Sequence, residues 1–151
     1  MNYSEYMNLL ETLFEEGKTT GPNQNEDMLN YASLNLQRMH RLNKKVELGE
    51  ELAEAIHSLN KDVHIVLITE GWCGDAAQNL PLFSKIEDYS DKVTLKLVLR
   101  DENLELMDKY LTNGGRSIPK AIFYDKNTLE ELGSWGPRPK EAQQMVIEFK
   151  K

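Results

Sequence analysis

The stretch His64–Thr69, "HIVLIT", is a near-continuous apolar run, and it leads straight into Glu70-Gly71-Trp72-Cys73-Gly74-Asp75-Ala76-Ala77-Gln78. An apolar run without alternation fits a central parallel strand covered on both faces. The residues after Cys73 place Ala76, Leu80 and Phe83 on one face of a helix. A strand buried on both sides needs covering layers, so the rest of the chain has to supply helices for them.

The remaining sequence supplies those layers. Residues 1–43 read as two amphipathic helices. Tyr6, Leu9, Leu10, Leu13 and Phe14 recur at helical spacing, with Ser4 as N-cap and Gly17 as stop. After the polar loop "KTTGPNQNED" come Leu29, Ala32, Leu36 and Met39 on one face. Each helix has one apolar stripe and must pack on something; a structural extension covering the core is the simplest reading. From residue 44 the pattern alternates. "KVEL" reads as a short edge strand, and Leu52, Ala55, Ile56 and Leu59 mark a helix. "KVTLKLVL" (92–99) is β, and "NLELMDKYL" (103–111) is helical with Leu104, Met107 and Leu111 aligned. "KAIFYD" and "EELGSW" form a hairpin turning at Lys126-Asn127. A last helix carries Ala142, Met145, Val146 and Phe149. The order (β)αβαβαββα predicts an α/β fold: a central mixed sheet flanked by helices, with a helical extension over 1–43 and the main domain over 44–151.

Composition narrows the function. Of 151 residues, 18 are Lys or Arg and 25 Asp or Glu, a net charge of −7. An acidic chain lacks the basic face that nucleic acid and acidic membranes require. The start has no signal-peptide pattern, and no run approaches the about 18 apolar residues of a membrane span. The cytoplasm is the expected compartment. One cysteine excludes an internal disulfide and a cysteine-rich zinc site. No metal or other cofactor is expected, and nothing fixes the oligomeric state.

Cys73 sits where a buried strand meets a helix. The free N–H groups and positive end of the helix favour an anion there, so a depressed thiol pKa is expected; Asp75 opposes it through its charge. The bland alternative is a buried, inert cysteine, against which stand Trp72 and Gly74 on the strand-to-helix turn. A second element is Ser117-Ile118-Pro119. Proline at the start of "KAIFYD" cannot donate to a ladder and belongs at the strand's first position. A cis Ile118–Pro119 bond is one way to put it there; an ordinary trans proline ending a loop is the other.

Four points in order resemble the thioredoxin-like family across roughly residues 44–151. Trp72-Cys73-Gly74 resembles its active-site motif. Pro81 lies where the family carries a proline in the helix, Ser117-Ile118-Pro119 where it has a cis-proline loop, and Gly133 with "GSWGPRPKEA" resembles its glycine loop. The resemblance implies a thioredoxin-like fold and a role in cell redox homeostasis. It implies that Cys73 is the nucleophile and that the Ile118 backbone before Pro119 pairs with an extended substrate. Trp72, Gly74, Asp75, Trp135 and Gly136 would form the rest of that groove; for Trp135 a plain hairpin-edge aromatic is the alternative.

Two departures follow from the same resemblance. The resolving cysteine of the family is replaced by Ala76, and the acid usually buried six residues before the nucleophile by Leu67. The losses fit each other, because a buried carboxylate with no resolving thiol to serve costs desolvation energy for nothing. Dithiol reduction is therefore not expected. Three readings stay open: a monothiol exchange protein whose mixed disulfide is resolved by an external protein or low-molecular-weight thiol, as one cysteine suffices in monothiol glutaredoxins; a non-catalytic module binding a partner in the Cys73/Pro119 groove; and a redox sensor oxidised at Cys73 to a sulfenic acid or an intermolecular disulfide. His40, His57 and His64 are scattered, with His64 a framework residue, and the pairs Glu15-Glu16, Glu50-Glu51 and Glu130-Glu131 read as solvated faces. Asp101-Glu102 reads as a helix start after Arg100.

Overall fold

The computed structural model describes residues 1–150. The apolar run becomes β1 (Val63–Thr69), an interior strand of a four-stranded sheet. Parallel to it lies β2 (Val93–Leu99), with Val63 opposite Val93 and Thr69 opposite Leu99. On its other side β3 (Lys120–Asp125) runs antiparallel, and β4 (Glu131–Trp135) completes the hairpin, giving the order β2–β1–β3–β4. In β2 the side chains of Val93, Leu95, Leu97 and Leu99 are buried and Lys96 is exposed, the alternation of a strand with one covered face. The outer edge of β2 is partly closed by Met1: its ammonium group donates to Leu97 O at 2.9 Å, and its carbonyl accepts from Leu97 N at 2.8 Å.

The N-terminal helices are α1 (Tyr3–Glu15) and α2 (Glu26–Lys45). The cap of α1 is Asn2 and not Ser4. Asn2 Oδ1 accepts from Glu5 N at 2.8 Å, and Glu5 Oε2 accepts from Asn2 N at 3.0 Å. This reciprocal box satisfies two orphan donors, which a hydroxyl at position 4 would not. Gly17 stops the helix at φ +71°, with Gly17 N donating to Phe14 O and Lys18 N to Leu13 O, a complete Schellman motif. Asn25 caps α2 through Met28 N; Glu26 and Asp27 in its first turn and Lys44 and Lys45 in its last favour the helix dipole. Tyr6, Met7, Leu10, Leu36 and Met39 join β1 and β2 side chains in one core. The helical extension therefore shares the core of the sheet.

"KVEL" forms no strand. The helix continues to Lys45, and Val46 donates its N–H back to Leu42 O, closing the helix where a ladder partner would be needed. Next comes α3 (Glu50–His57), and after β1 comes α4 (Gly74–Tyr89), which buries Ala76, Leu80, Pro81 and Phe83. The helix expected over 103–111 is much shorter. A 3₁₀ turn (Arg100–Glu102) and α5 (Leu104–Met107) are all that form, because only Met107 of the three aligned apolar residues is buried and Asn113 and Gly114 turn the chain at positive φ. Asp101-Glu102 accordingly lie in the 3₁₀ turn and begin no long helix. His64 Nδ1 bonds Thr94 Oγ1 at 2.8 Å across β1 and β2. The last helix among the described residues is α6 (Lys140–Phe149), which has no buried residue. Among the described residues no helix is long and apolar enough to cross a membrane.

Candidate active site

Cys73 is the N-cap of α4. Its sulfur accepts from Ala76 N at 3.4 Å, and its S–H donates to Ile118 O at 3.4 Å. A thiol that donates and accepts at once is held in its protonated form. Cys73 is 9% exposed. Burial pushes its pKa up, and the Asp75 carboxylate adds to that, outweighing the N–H groups of Ala76 and Asp75 and the Arg100 charge that act the other way. The expected depression is thus reversed: the helix terminus is present, but the sulfur is too dry to profit from it.

The Ile118–Pro119 peptide is cis, and both residues are buried. Gly136, at the end of the hairpin, packs on the same turn with φ +123°. A Cβ there would lie 2.1 Å from Pro119 O, so only glycine fits. Lys120 Nζ reinforces this contact by donating to Gly136 O at 2.8 Å and to Thr112 Oγ1 at 2.7 Å. Asp75 is engaged in an ion pair with Arg138, in the linker before α6. Cys73, Asp75, Ile118, Pro119 and Gly136 therefore form one connected group. The two tryptophans part company. Trp72 is half-buried beside Cys73, under the Arg100 guanidinium at 4.9 Å from the ring centroid. Trp135 packs on Phe83 with centroids 5.6 Å apart and lines a separate apolar groove with α3.

The N-terminal segment closes over the loop, with the stretch between α1 and α2 acting as a strap. Thr20 Oγ1 accepts from Gly71 N at 2.8 Å, and Asn35 Nδ2 donates to Gly71 O at 3.1 Å. Arg38 braces Asn35 at 3.3 Å and lies 3.6 Å from where a Cβ on Gly74 would stand. A Cβ on Gly71 would collide with Leu10 at 2.6 Å. Tyr6 bonds Thr69 at the end of β1 at 3.2 Å, and burial pushes its phenol pKa well up. None of these carries a sequence signal for this role: Tyr6 reads only as part of an apolar stripe, and Thr20, Asn35 and Arg38 read as solvated polar residues.

The position six residues before Cys73 carries no acid, yet a different carboxylate is buried beside the loop. Leu67 is indeed in the core, but Glu70 is 1% exposed. Its Oε1 accepts from Asp101 N at 3.0 Å, while Oε2 has no hydrogen-bond partner among the described residues. Burial raises its pKa. Asp101 Oδ2, Trp72 Nε1 and Glu70 Oε2 all surround Gly21, at 3.1, 3.4 and 3.7 Å from the position of a Cβ there. The chain could have signalled this only through a carboxylate wedged between a buried strand and a glycine.

Comparison with known proteins bears on the family and the fold. A protein-family model described as thioredoxin matches residues 21–150. Among solved structures, a protein of unknown function, PA1234, from Pseudomonas aeruginosa is 17% identical, with 99% of this chain and 87% of that chain covered and a TM-score of 0.60. An HIV epitope-scaffold is 18% identical over 98% of this chain and 82% of that one, TM-score 0.58. A mutant thioredoxin from Halobacterium salinarum is 20% identical over 67% and 84%, TM-score 0.41. No curated protein matches. The two larger likenesses speak for the fold alone. The family match takes in α2, the Cys73 loop and the whole sheet together, and the chain belongs to the thioredoxin family.

Proposed function

We propose that this protein carries out thiol–disulfide exchange as a monothiol, through Cys73. The observation that carries the reading is the placement of the sulfur: it caps α4 at the end of the central strand, faces the carbonyl before Pro119, and has alanine where a second thiol would stand. The chemistry is balanced with one external thiol. The Cys73 thiolate attacks a disulfide R–S–S–R′, forming Cys73–S–S–R and expelling R′S⁻. A second thiolate, R″S⁻, then attacks the R sulfur, giving R–S–S–R″ and releasing Cys73. Ala76 N–H stabilises the sulfur anion both before attack and as it leaves. Ile118 and Pro119 hold the backbone of an extended substrate, with Trp72, Gly74 and Asp75 beside it, once the Cys73–Ile118 contact opens.

Turnover of a small disulfide with excess monothiol tests this. Activity should be present, should rise with pH as the thiol ionises, and should vanish in Cys73→Ser. Absence of turnover at pH values where Cys73 is demonstrably alkylated would end the reading. A second reading has its own support in the buried, protonated sulfur: a module that holds a partner in the Cys73/Pro119 groove. It requires partner binding to survive Cys73→Ser.

A further inference from the structure

Only five of the 151 residues are arginine: Arg38, Arg41, Arg100, Arg116 and Arg138. Three of them, from three distant segments, lie against the short stretch from Trp72 to Asp75 that carries the thiol. Arg100, in the 3₁₀ turn, stands over the Trp72 ring. Arg138, in the linker before α6, is paired with Asp75. Arg38, on α2, places Nη1 3.6 Å from where a Cβ on Gly74 would stand, so no side chain of residue 74 separates that guanidinium from the first turn of α4. On a chain of net charge −7, this gathering of guanidinium groups at the thiol loop is a local reversal of the overall sign.

The three differ in what already neutralises them. Asp75 takes Arg138, and Arg100 Nε donates to Asp101 Oδ1 at 3.0 Å. Arg38 has no carboxylate. Among the described residues its one hydrogen bond goes to the neutral Asn35 Oδ1, at 3.3 Å, and it forms no ion pair. Its side chain is half-buried. A guanidinium presents a planar fork of donors that matches a carboxylate two bonds at a time. Bracing Asn35 needs one N–H and no charge, so most of that fork is unused. The Cα atoms of residues 73 and 74 are about 3.8 Å apart, and the guanidinium therefore borders the loop at which a substrate sulfur joins Cys73. Of the three cations it is the one left to meet a charge that the substrate brings.

We infer that Arg38 sets the substrate preference at Cys73, selecting short disulfides whose R group carries a carboxylate near the sulfur. This deepens the exchange reading and rests on it. The guanidinium holds the carboxylate of R while Cys73 attacks the R sulfur. The bonds made and broken are those of the exchange already written, and no proton or electron passes through Arg38. An amide in R can still pair with the Ile118 backbone. The short length follows from charge. An acidic protein segment meets the field of the whole chain, at −7, and is repelled. A small anion at the loop feels the nearest cation, because more distant acids are screened beyond about 8 Å at physiological salt.

The ratio of alkylation rates by iodoacetate and by iodoacetamide reads the charge at the thiol without requiring turnover. Cys73 is the only cysteine, so both rates belong to it. The reagents are close in size and differ in charge, so accessibility and thiol ionisation cancel in the ratio. With the urea-unfolded chain as reference, the folded parent should raise the ratio about threefold or more. Arg38→Gln should return it toward the reference, whatever the lost brace on Asn35 does to the separate rates, and Arg38→Lys should keep it raised. A folded ratio at or below the reference, or one that Arg38→Gln leaves unchanged, overturns the proposal. Turnover separates the proposal from the reading beneath it. With excess monothiol, the parent should prefer dithiodiglycolate over hydroxyethyl disulfide more strongly than Arg38→Gln does. Equal preference in both overturns the proposal and leaves monothiol exchange standing. Turnover of neither disulfide, with an alkylation ratio that is raised and falls in Arg38→Gln, ends the exchange reading and upholds Arg38 as the charge selector. A folded thiol that neither reagent reaches overturns both.

Discussion

Asp75, two residues after Cys73, is paired with Arg138 in the linker before α6, so the first turn of the thiol's own helix is fastened to the far end of the chain. The carboxylate works against the thiolate. Asp75→Asn should therefore lower the Cys73 pKa and speed its alkylation several-fold at a fixed neutral pH. The pair is partly exposed, so its loss should cost about 1 kcal/mol or less in denaturant melts.

The thiol itself should titrate late. The pH dependence of alkylation should show a midpoint above the ordinary 9.0. Because the folded chain prefers the protonated sulfur, the associated stability is complete below that value and is lost as pH rises through the folded midpoint. A midpoint below 9.0 would mean that the Ala76 and Asp75 N–H groups prevail over burial.

Glu70 gives a second signature at acid pH. Its folded pKa lies above the ordinary 4.5. The favourable linkage is fully present below about pH 4.5 and disappears as pH climbs through the folded value. Glu70→Gln removes that dependence. Urea melts should show the variant gaining on the parent as pH rises across this window; parallel curves would show that Glu70 ionises normally.

At the turn against Pro119, Gly136→Ala forces a Cβ within 2.1 Å of a backbone oxygen that cannot rotate away, at φ +123°. Overpacking and a disfavoured φ together should cost at least about 2 kcal/mol. Equilibrium unfolding reads the loss directly, and a change below 0.5 kcal/mol, on the scale of an ordinary surface substitution, would show that the turn relaxes.

The strap is tested at Thr20. Thr20→Val keeps the shape and removes the acceptor of the buried Gly71 N–H. An unpaired buried donor costs about 1–3 kcal/mol. The loosened strap should also expose Cys73, so alkylation should accelerate at the same pH while the far-UV spectrum stays unchanged.

How far the sequence foretells this molecule depends on the kind of signal. Period and punctuation are local, and they predict β1, α4, the hairpin and both N-terminal helices. The motif spacing brings Cys73, Ile118 and Pro119 together. What it misses is set by neighbours distant in the chain. "KVEL" alternates like a strand, but Lys44 and Lys45 finish α2 instead. Residues 103–111 have helical periodicity, yet Leu104 and Leu111 find no surface to cover them. Glu70 is buried against Gly21, about fifty residues upstream, and the sulfur contacts Ile118, 45 residues downstream; desolvation is a property of the assembled environment, invisible in any short window. Trp135 belongs to another surface for the same reason: alternation along β4 assigns a face, but not what lies across from it.

The pair of hydrogen bonds that ties Gly71 to Thr20 and Asn35 has an evolutionary consequence. They tie the backbone two residues before the sulfur to a segment outside the signature. Substitutions in the strap would retune the reactivity of the thiol while the Trp-Cys-Gly signature stayed letter for letter the same. Two chains with identical signatures would then differ in chemistry, and the difference would be inherited through the part of the sequence that least resembles an active site.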